Sequence, residues 1–93
     1  MKNSKFKRER LPSGVEYFNA HGLTLKGIGA WRNALCPFHA DTKPSLRVRA
    51  ETGAYRCMVC GEHGGDILSF HMNRTGLQFV QAAKDLGAWI ENS

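Results

Sequence analysis

The chain has 93 residues, with 13 Lys and Arg against 8 Asp and Glu, a formal net charge of +5. This is one small basic domain with no room for a second core of useful size. Apolar residues make up 42% of it, yet no apolar run approaches the roughly 20 residues that span a bilayer, and the basic start leads into no apolar signal core. The expectation is therefore a soluble, cytoplasmic protein without a membrane partner.

Taken in chain order, residues 1–11 hold Lys2, Lys5, Lys7, Arg8 and Arg10 against Glu9 and read as a basic flexible tail, with the folded domain at 12–90. Ser13-Gly14-Val15-Glu16 has capping-box spacing and Gly22 suits a left-handed helix end, so a short helix is expected from Gly14 to His21. Leu23–Lys26 and Ala30–Leu35 read as the two strands of a hairpin turning at Gly27 and Gly29 around Ile28. Cys36-Pro37-Phe38-His39 follows, then turn chemistry at Asp41-Thr42-Lys43-Pro44. Leu46-Arg47-Val48-Arg49 alternates strictly, which predicts a strand with Leu46 and Val48 on the core and both arginines on the opposite face. After a turn at Glu51–Gly53, Ala54–Cys57 returns as its partner, with Tyr55 on the face of Cys57 and Arg56 pointing the other way.

Beyond Cys57-Met58-Val59-Cys60 the pattern turns helical. Asp66 is a helix cap, with Ile67, Phe70, His71 and Arg74 on one face before Gly76. Thr75-Gly76-Leu77-Gln78 repeats the capping-box spacing ahead of an apolar stripe, Phe79, Ala82, Ala83 and Leu86, that stops at Gly87. His71 reads as a core histidine rather than a ligand. Trp89 and Ile90 read as a docking anchor.

The two short knuckles use all three cysteines of the chain and one of its four histidines. In each, a two-residue spacer lets both side chains converge on one ion. The pair together supply Cys36, His39, Cys57 and Cys60, a closed tetrahedral shell for one structural zinc ion with no open position for water. The rival readings are a redox Cys-x-x-Cys, or a disulfide with one spare cysteine; an odd cysteine count without a secretory signal argues against lasting disulfides. His63, which repeats the knuckle spacing beyond Cys60, is an alternative to His39. Burial in so small a domain barely offsets the cost of ordering it, so the metal-free chain is expected to be largely unfolded.

Charge is unevenly placed. Residues 26–56 carry Lys26, Arg32, Lys43, Arg47, Arg49 and Arg56 against Asp41 and Glu51, whereas the stretch from Cys57 onward has more acids than bases. This distribution favours a polyanionic partner, most simply nucleic acid; the plain alternative is a set of independent, solvated cations.

Cys36-Pro37-Phe38-His39, Pro44-Ser45-Leu46, Tyr55-Arg56-Cys57 through Cys60-Gly61, Gly64-Gly65-Asp66-Ile67 and Gly76-Leu77-Gln78-Phe79-Val80-Gln81-Ala82-Ala83, with seventeen residues between His39 and Cys57, closely resemble the zinc-binding, CHC2-type zinc-finger domain of bacterial and phage DNA primases. The resemblance covers roughly residues 12–87. It implies an α+β fold, a small zinc ribbon on an antiparallel sheet flanked by an N-terminal helix and two C-terminal helices. It also implies a bacterial or phage-encoded module that binds single-stranded template DNA where a primer begins, with a primase catalytic domain, helicase or polymerase as protein partners. The sheet residues best placed for this are Lys43, Arg47, Arg49 and Arg56, with Trp31 or Tyr55 as stacking surfaces unless core packing claims them, the preferred reading for Tyr55. Met58-Val59 departs from the Phe-Gly common in the second knuckle, and Glu62-His63 lengthens the stretch before Gly64.

Two other classes compete. One is a protein-interaction or regulatory zinc module docking through the C-terminal helices. The other is a zinc deaminase, for which His39-Ala40-Asp41 and Cys57-x-x-Cys60 offer a superficial match; yet Asp41 is shorter than the glutamate required, Arg56 stands at the proline position and Cys36 is left over. Acids are scattered singly, with no carboxylate cluster to hold magnesium, and no catalytic domain follows Ser93, so the expectation is a chain that does not make primers alone.

Overall fold

The computed structural model describes residues 5–40 and 42–90. Within them, α1 (Gly14–Ala20) precedes three strands, β1 (Trp31–Ala34), β2 (Leu46–Arg49) and β3 (Tyr55–Cys57); a two-residue strand β4 (His63–Gly64) leads into α2 (Ile67–Thr75) and α3 (Phe79–Asp85). The strands form one sheet in the order β1-β2-β3-β4, each antiparallel to its neighbour. The fold is thus α+β, as expected, with a helix before the sheet and two after it.

The alternation in β2 does what period-two geometry demands: Leu46 and Val48 are fully buried and Arg47 is exposed. Register carries that division across the sheet. Leu46 stands opposite Ala34 and Cys57, and Val48 opposite Tyr55, all on the inner face apart from the half-buried Arg32 at Val48's other side. Phe70 of α2 closes this face. Its ring meets Phe18 at 4.8 Å, Tyr55 at 4.9 Å, Phe38 at 5.3 Å and Tyr17 at 5.8 Å between centroids, each steeply inclined, the edge-to-face arrangement the ring quadrupole favours.

Local signals place the helices. Ser13 Oγ accepts from the Glu16 N–H at 3.1 Å while Glu16 Oε1 accepts from the Ser13 N–H at 3.2 Å, a complete capping box. The next orphan donors of α1, on Gly14 and Val15, reach the carbonyls of Glu51 and Ala50 in the β2–β3 turn. A Cβ on Gly14 would lie 2.6 Å from the Ala50 oxygen, so only glycine allows this approach. Asp66 caps α2 through Ser69 N–H at 2.9 Å, and Gly76, at φ 80°, ends it in the left-handed conformation.

Two expectations are corrected. Leu23–Lys26 is not a strand: only Lys26 pairs, with Asn33, and the partner of β1 is β2. Gly27 and Gly29, both at positive φ, open a wide tip that leaves Ile28 93% exposed, so the chain never forms the tight turn that a regular hairpin needs. Thr75 does not cap α3; it still belongs to the last turn of α2, where its hydroxyl donates to the His71 carbonyl at 2.6 Å, and Gln78 stands at the α3 cap without a side-chain bond. The strand β4 is an addition that the sequence reading lacked.

Of the segment read as a tail, Lys5–Leu11 lies within the described residues and is tied down. Ile90 N–H donates to Lys5 O at 2.9 Å and Lys7 N–H to Ala88 O at 2.7 Å, bracketing a bridge between Phe6 and Trp89. Phe79 packs edge-on against both of those rings, and Arg8 pairs with Asp66 at 2.7 Å. Trp89 and Ile90 therefore anchor the last described residues to the first. His71 is buried as a core residue, 2.7 Å from the Tyr17 hydroxyl at Nδ1 and 2.6 Å from Asp85 Oδ2 at Nε2. A carboxylate only accepts, so Nε2 carries a proton and donates to Asp85. Burial pushes the phenol of Tyr17, the partner of Nδ1, up to about 12.

Candidate metal centre and nucleic-acid interface

Strand direction explains how two knuckles far apart in sequence meet. β1 and β3 flank β2 and are both antiparallel to it, so they run parallel to each other and end on the same edge of the sheet. Ala34 and Cys57 both stand opposite Leu46; Cys36 lies two residues past the first, and Cys60 three past the second. The second knuckle is fixed further by Met58 N–H donating to Ser45 O at 2.9 Å and Cys57 N–H to Glu62 O at 2.8 Å.

The result is a cluster in which the donor atoms of Cys36, His39, Cys57 and Cys60 all lie within 4.8 Å of one another. Sulfur ligands about 2.3 Å from a tetrahedral zinc stand roughly 3.8 Å apart, and an imidazole nitrogen slightly closer. Cys36 Sγ and Cys60 Sγ are 3.8 Å apart, and His39 Nε2 is 3.3 Å from Cys57 Sγ. A disulfide requires about 2.05 Å, and all three cysteines are free. The donor set therefore fits zinc and not a disulfide. His63 is outside the cluster; its Nδ1 is 2.9 Å from Gly61 O. Cys36 belongs to the four, whereas a deaminase site would leave it out; Asp41, the residue that reading also needs, lies outside the described residues.

The cluster is electrostatically prepared. Burial opposes ionisation of Cys57, but N–H groups of Cys60 and Val59, each 3.4 Å from its sulfur, with the Ser45 hydroxyl and His39, bring it down to about 5. Cys36 is pushed up to about 12, mainly by burial and further by the neighbouring thiols. One sulfur is thus a ready thiolate, and the other gives up its proton when a cation arrives.

The opposite face of the sheet is a different surface. Register sets Trp31 beside Arg49, and Asn33, Arg47, Arg56 and His63 in one row across β1 to β4. Arg47 and Arg56 are exposed and directly opposite one another. Arg49 holds its guanidinium 5.9 Å from the centroid of the Trp31 indole, a cation–π arrangement. Beside it a cleft of about 230 Å³ is lined by Trp31, Arg47, Arg56 and Met58. Lys43 is exposed but lies in the loop before β2, outside the strand rows. Tyr55 departs from the stacking role. It is 3% exposed, on the inner face, with its hydroxyl accepting from Asn73 Nδ2 at 3.2 Å, so neither ring face is open to a base. Met58, 65% exposed, had no role assigned from sequence; its position next to the last core residue of β3 was the available signal.

The model of the CHC2 zinc finger matches residues 15–92. The chain belongs to the CHC2 zinc-finger family. This CHC2 zinc finger is 38% identical over 82 residues to a DNA primase of Geobacillus stearothermophilus, which covers 86% of the chain and 14% of that protein. It is 42% identical over 66 residues to the DNA primase of Escherichia coli strain K12, covering 71% of the chain and 11% of that protein. The chain thus spans a small fraction of the length of the curated relatives it matches. A crystal structure of the Aquifex aeolicus primase, comprising zinc binding and RNA polymerase domains, superposes with a TM-score of 0.68 at 26% identity, over 90% of this chain and 21% of that one. Among the described residues, no helix is long and apolar enough to cross a membrane.

Proposed function

We propose that the chain is a zinc-ordered module that binds single-stranded template DNA on the outer face of its sheet and serves primer initiation beside a primase catalytic domain, in the bacterial cytoplasm. In this reading one zinc ion is held by Cys36, His39, Cys57 and Cys60, and its part is to clamp the ends of β1 and β3, so that the row between them keeps its register. Arg47, Arg49 and Arg56 supply phosphate contacts, Lys43 adds charge at the margin, and Trp31 offers the stacking surface; Tyr55 is withdrawn to the core.

The observation that carries the reading is the segregation of charge by face. Three arginines and an exposed indole share one side of a sheet whose other side, apart from the half-buried Arg32 and the cluster residue Cys57, is given to packing, and no carboxylate among the described residues pairs with those three arginines. Basic side chains interleaved with an aromatic platform are what a flexible polyanion with unpaired bases requires. The kinship with DNA primases agrees in direction.

Titration of the zinc-loaded protein with labelled single-stranded oligonucleotides at several salt concentrations tests this. We expect affinity to fall steeply with salt, by about 0.7 log units per log unit of salt for each phosphate contacted. Absence of binding at low salt would overturn it and leave the interaction module as the better reading.

A further inference from the structure

We infer that Ile28, at the tip between Lys26 and Trp31, is a wedge that inserts between two adjacent bases of a bound single strand. This rests on the proposed binding of single-stranded DNA and adds to it a contact outside the sheet that is indifferent to base identity. Single exposed apolar residues are ordinary on protein surfaces. Ile28 differs in how it is held. Gly27 and Gly29 take φ of 99° and 95° on either side of it, a conformation that residues with a Cβ rarely adopt, and the residue between them is 93% exposed. A Cβ at either glycine would meet nothing within 4 Å, so these glycines serve the backbone path and not close packing.

The base of the tip is fixed. Lys26 and Asn33 exchange both backbone hydrogen bonds, at 2.7 and 3.0 Å. The Ala50 N–H donates to Ala30 O at 2.8 Å, and Arg32 Nε donates to Gly29 O at 3.2 Å. Ile28 is therefore carried on a braced loop, and its branched Cβ restricts its own rotamers, so insertion sacrifices little conformational freedom. The surroundings point to the partner. No acidic residue occurs between Glu16 and Asp41. Lys26 stands opposite Asn33, which extends the outer row of Asn33, Arg47 and Arg56 by one cation toward the tip. Trp31, with the Arg49 guanidinium over its ring, follows Ile28 by three residues. A polyanion that also offers apolar faces fits this setting, and bases stacked along a strand are such faces. Apolar side chains, isoleucine among them, part stacked bases in this way.

The test uses the zinc-loaded protein across a salt series, with single-stranded oligodeoxyadenylates carrying 2-aminopurine, whose fluorescence is quenched by stacking and rises when neighbouring bases part. We expect fluorescence to rise on binding. Ile28→Ser should abolish that rise and weaken binding roughly tenfold, the loss expected for leaving one isoleucine side chain in water, and Ile28→Leu should restore both. The salt slope and the thermal transition should be unchanged in Ile28→Ser, since the residue carries no charge and buries almost nothing. Wild-type affinity and fluorescence in Ile28→Ser overturn the wedge and leave the DNA-binding reading standing, with a protein pocket as the better occupant of the tip. Binding by the wild-type protein without a fluorescence rise overturns the wedge too. So does a loss of affinity accompanied by a changed salt slope, because the residue then acts through the placement of charge. Absence of binding to every probe at low salt overturns both.

Discussion

The two faces of the same four strands obey opposite rules. On the inner face Leu46, Val48, Tyr55 and Cys57 are buried and meet the Phe70 ring cluster or the metal site. On the outer face, one residue away along each strand, Arg47 opposes Arg56 and Trp31 stands beside Arg49 in solvent. Packing favours the first set, whereas the second includes a like-charge pair that folding alone would not select. Residues that work against local stability without a structural return point to binding, and the contrast implies that stability and ligand affinity are separable by substitution.

The sharpest way to break that separation is to remove the metal, which serves both faces. A structural zinc site contributes on the order of 10 to 16 kcal/mol, so chelation should abolish the cooperative thermal transition and DNA binding together; a native-like transition in protein shown to be zinc-free by elemental analysis would contradict this. Next in size is Phe70→Ala, which empties the centre of the ring cluster. It should cost about 3 to 5 kcal/mol in denaturant unfolding while leaving the salt dependence of binding unchanged in the folded fraction. The converse is Arg47→Ala combined with Arg49→Ala. That pair should lower the slope of log affinity against log salt by about 2, with stability changed by less than about 0.5 kcal/mol. A loss of stability comparable to that of Phe70→Ala would show that the outer face is structural after all.

The smallest effect concerns Asp66. Partial burial opposes its ionisation, but the Arg8 guanidinium and the Ser69 N–H hold its carboxyl below the ordinary value. A folded-state pKa below the unfolded one adds stability that is fully present above the unfolded pKa, near 3.9. That stability is lost as pH falls through the folded pKa. Asp66→Ala should therefore cost about 1 kcal/mol at neutral pH and flatten the acid limb of the stability profile. An unchanged limb would mean that the cap contributes nothing.

Much of the site was legible from short-range pattern. Knuckle spacing is itself the chemistry of the ligands, and Cys36, His39, Cys57 and Cys60 do converge. Alternation in Leu46–Arg49 is a direct projection of strand geometry, and it sorted Leu46 and Val48 from Arg47 correctly. Ser13 and Asp66 act within three residues of themselves, so their caps were readable too. What escaped depends on contacts distant in sequence. Leu23–Lys26 has the composition of a strand, yet β1 pairs instead with β2, whose inner face completes the row through Leu46 and Cys57. The docking of Lys5–Lys7 on Ala88–Ile90 joins the two ends of the described chain, and no local pattern marks it.

The amino-acid sequence alone thus determined which four Cys and His side chains converge, the strand faces of β2 and β3 and the starts of α1 and α2, because each follows from residue chemistry or backbone period over a few positions. Tertiary structure decided which aromatic was available. Trp31 and Tyr55 are both aromatic residues opening strands, and only the register of β3 against β2 and the seat of Phe70 make one a solvent-facing platform and the other a wall of the core.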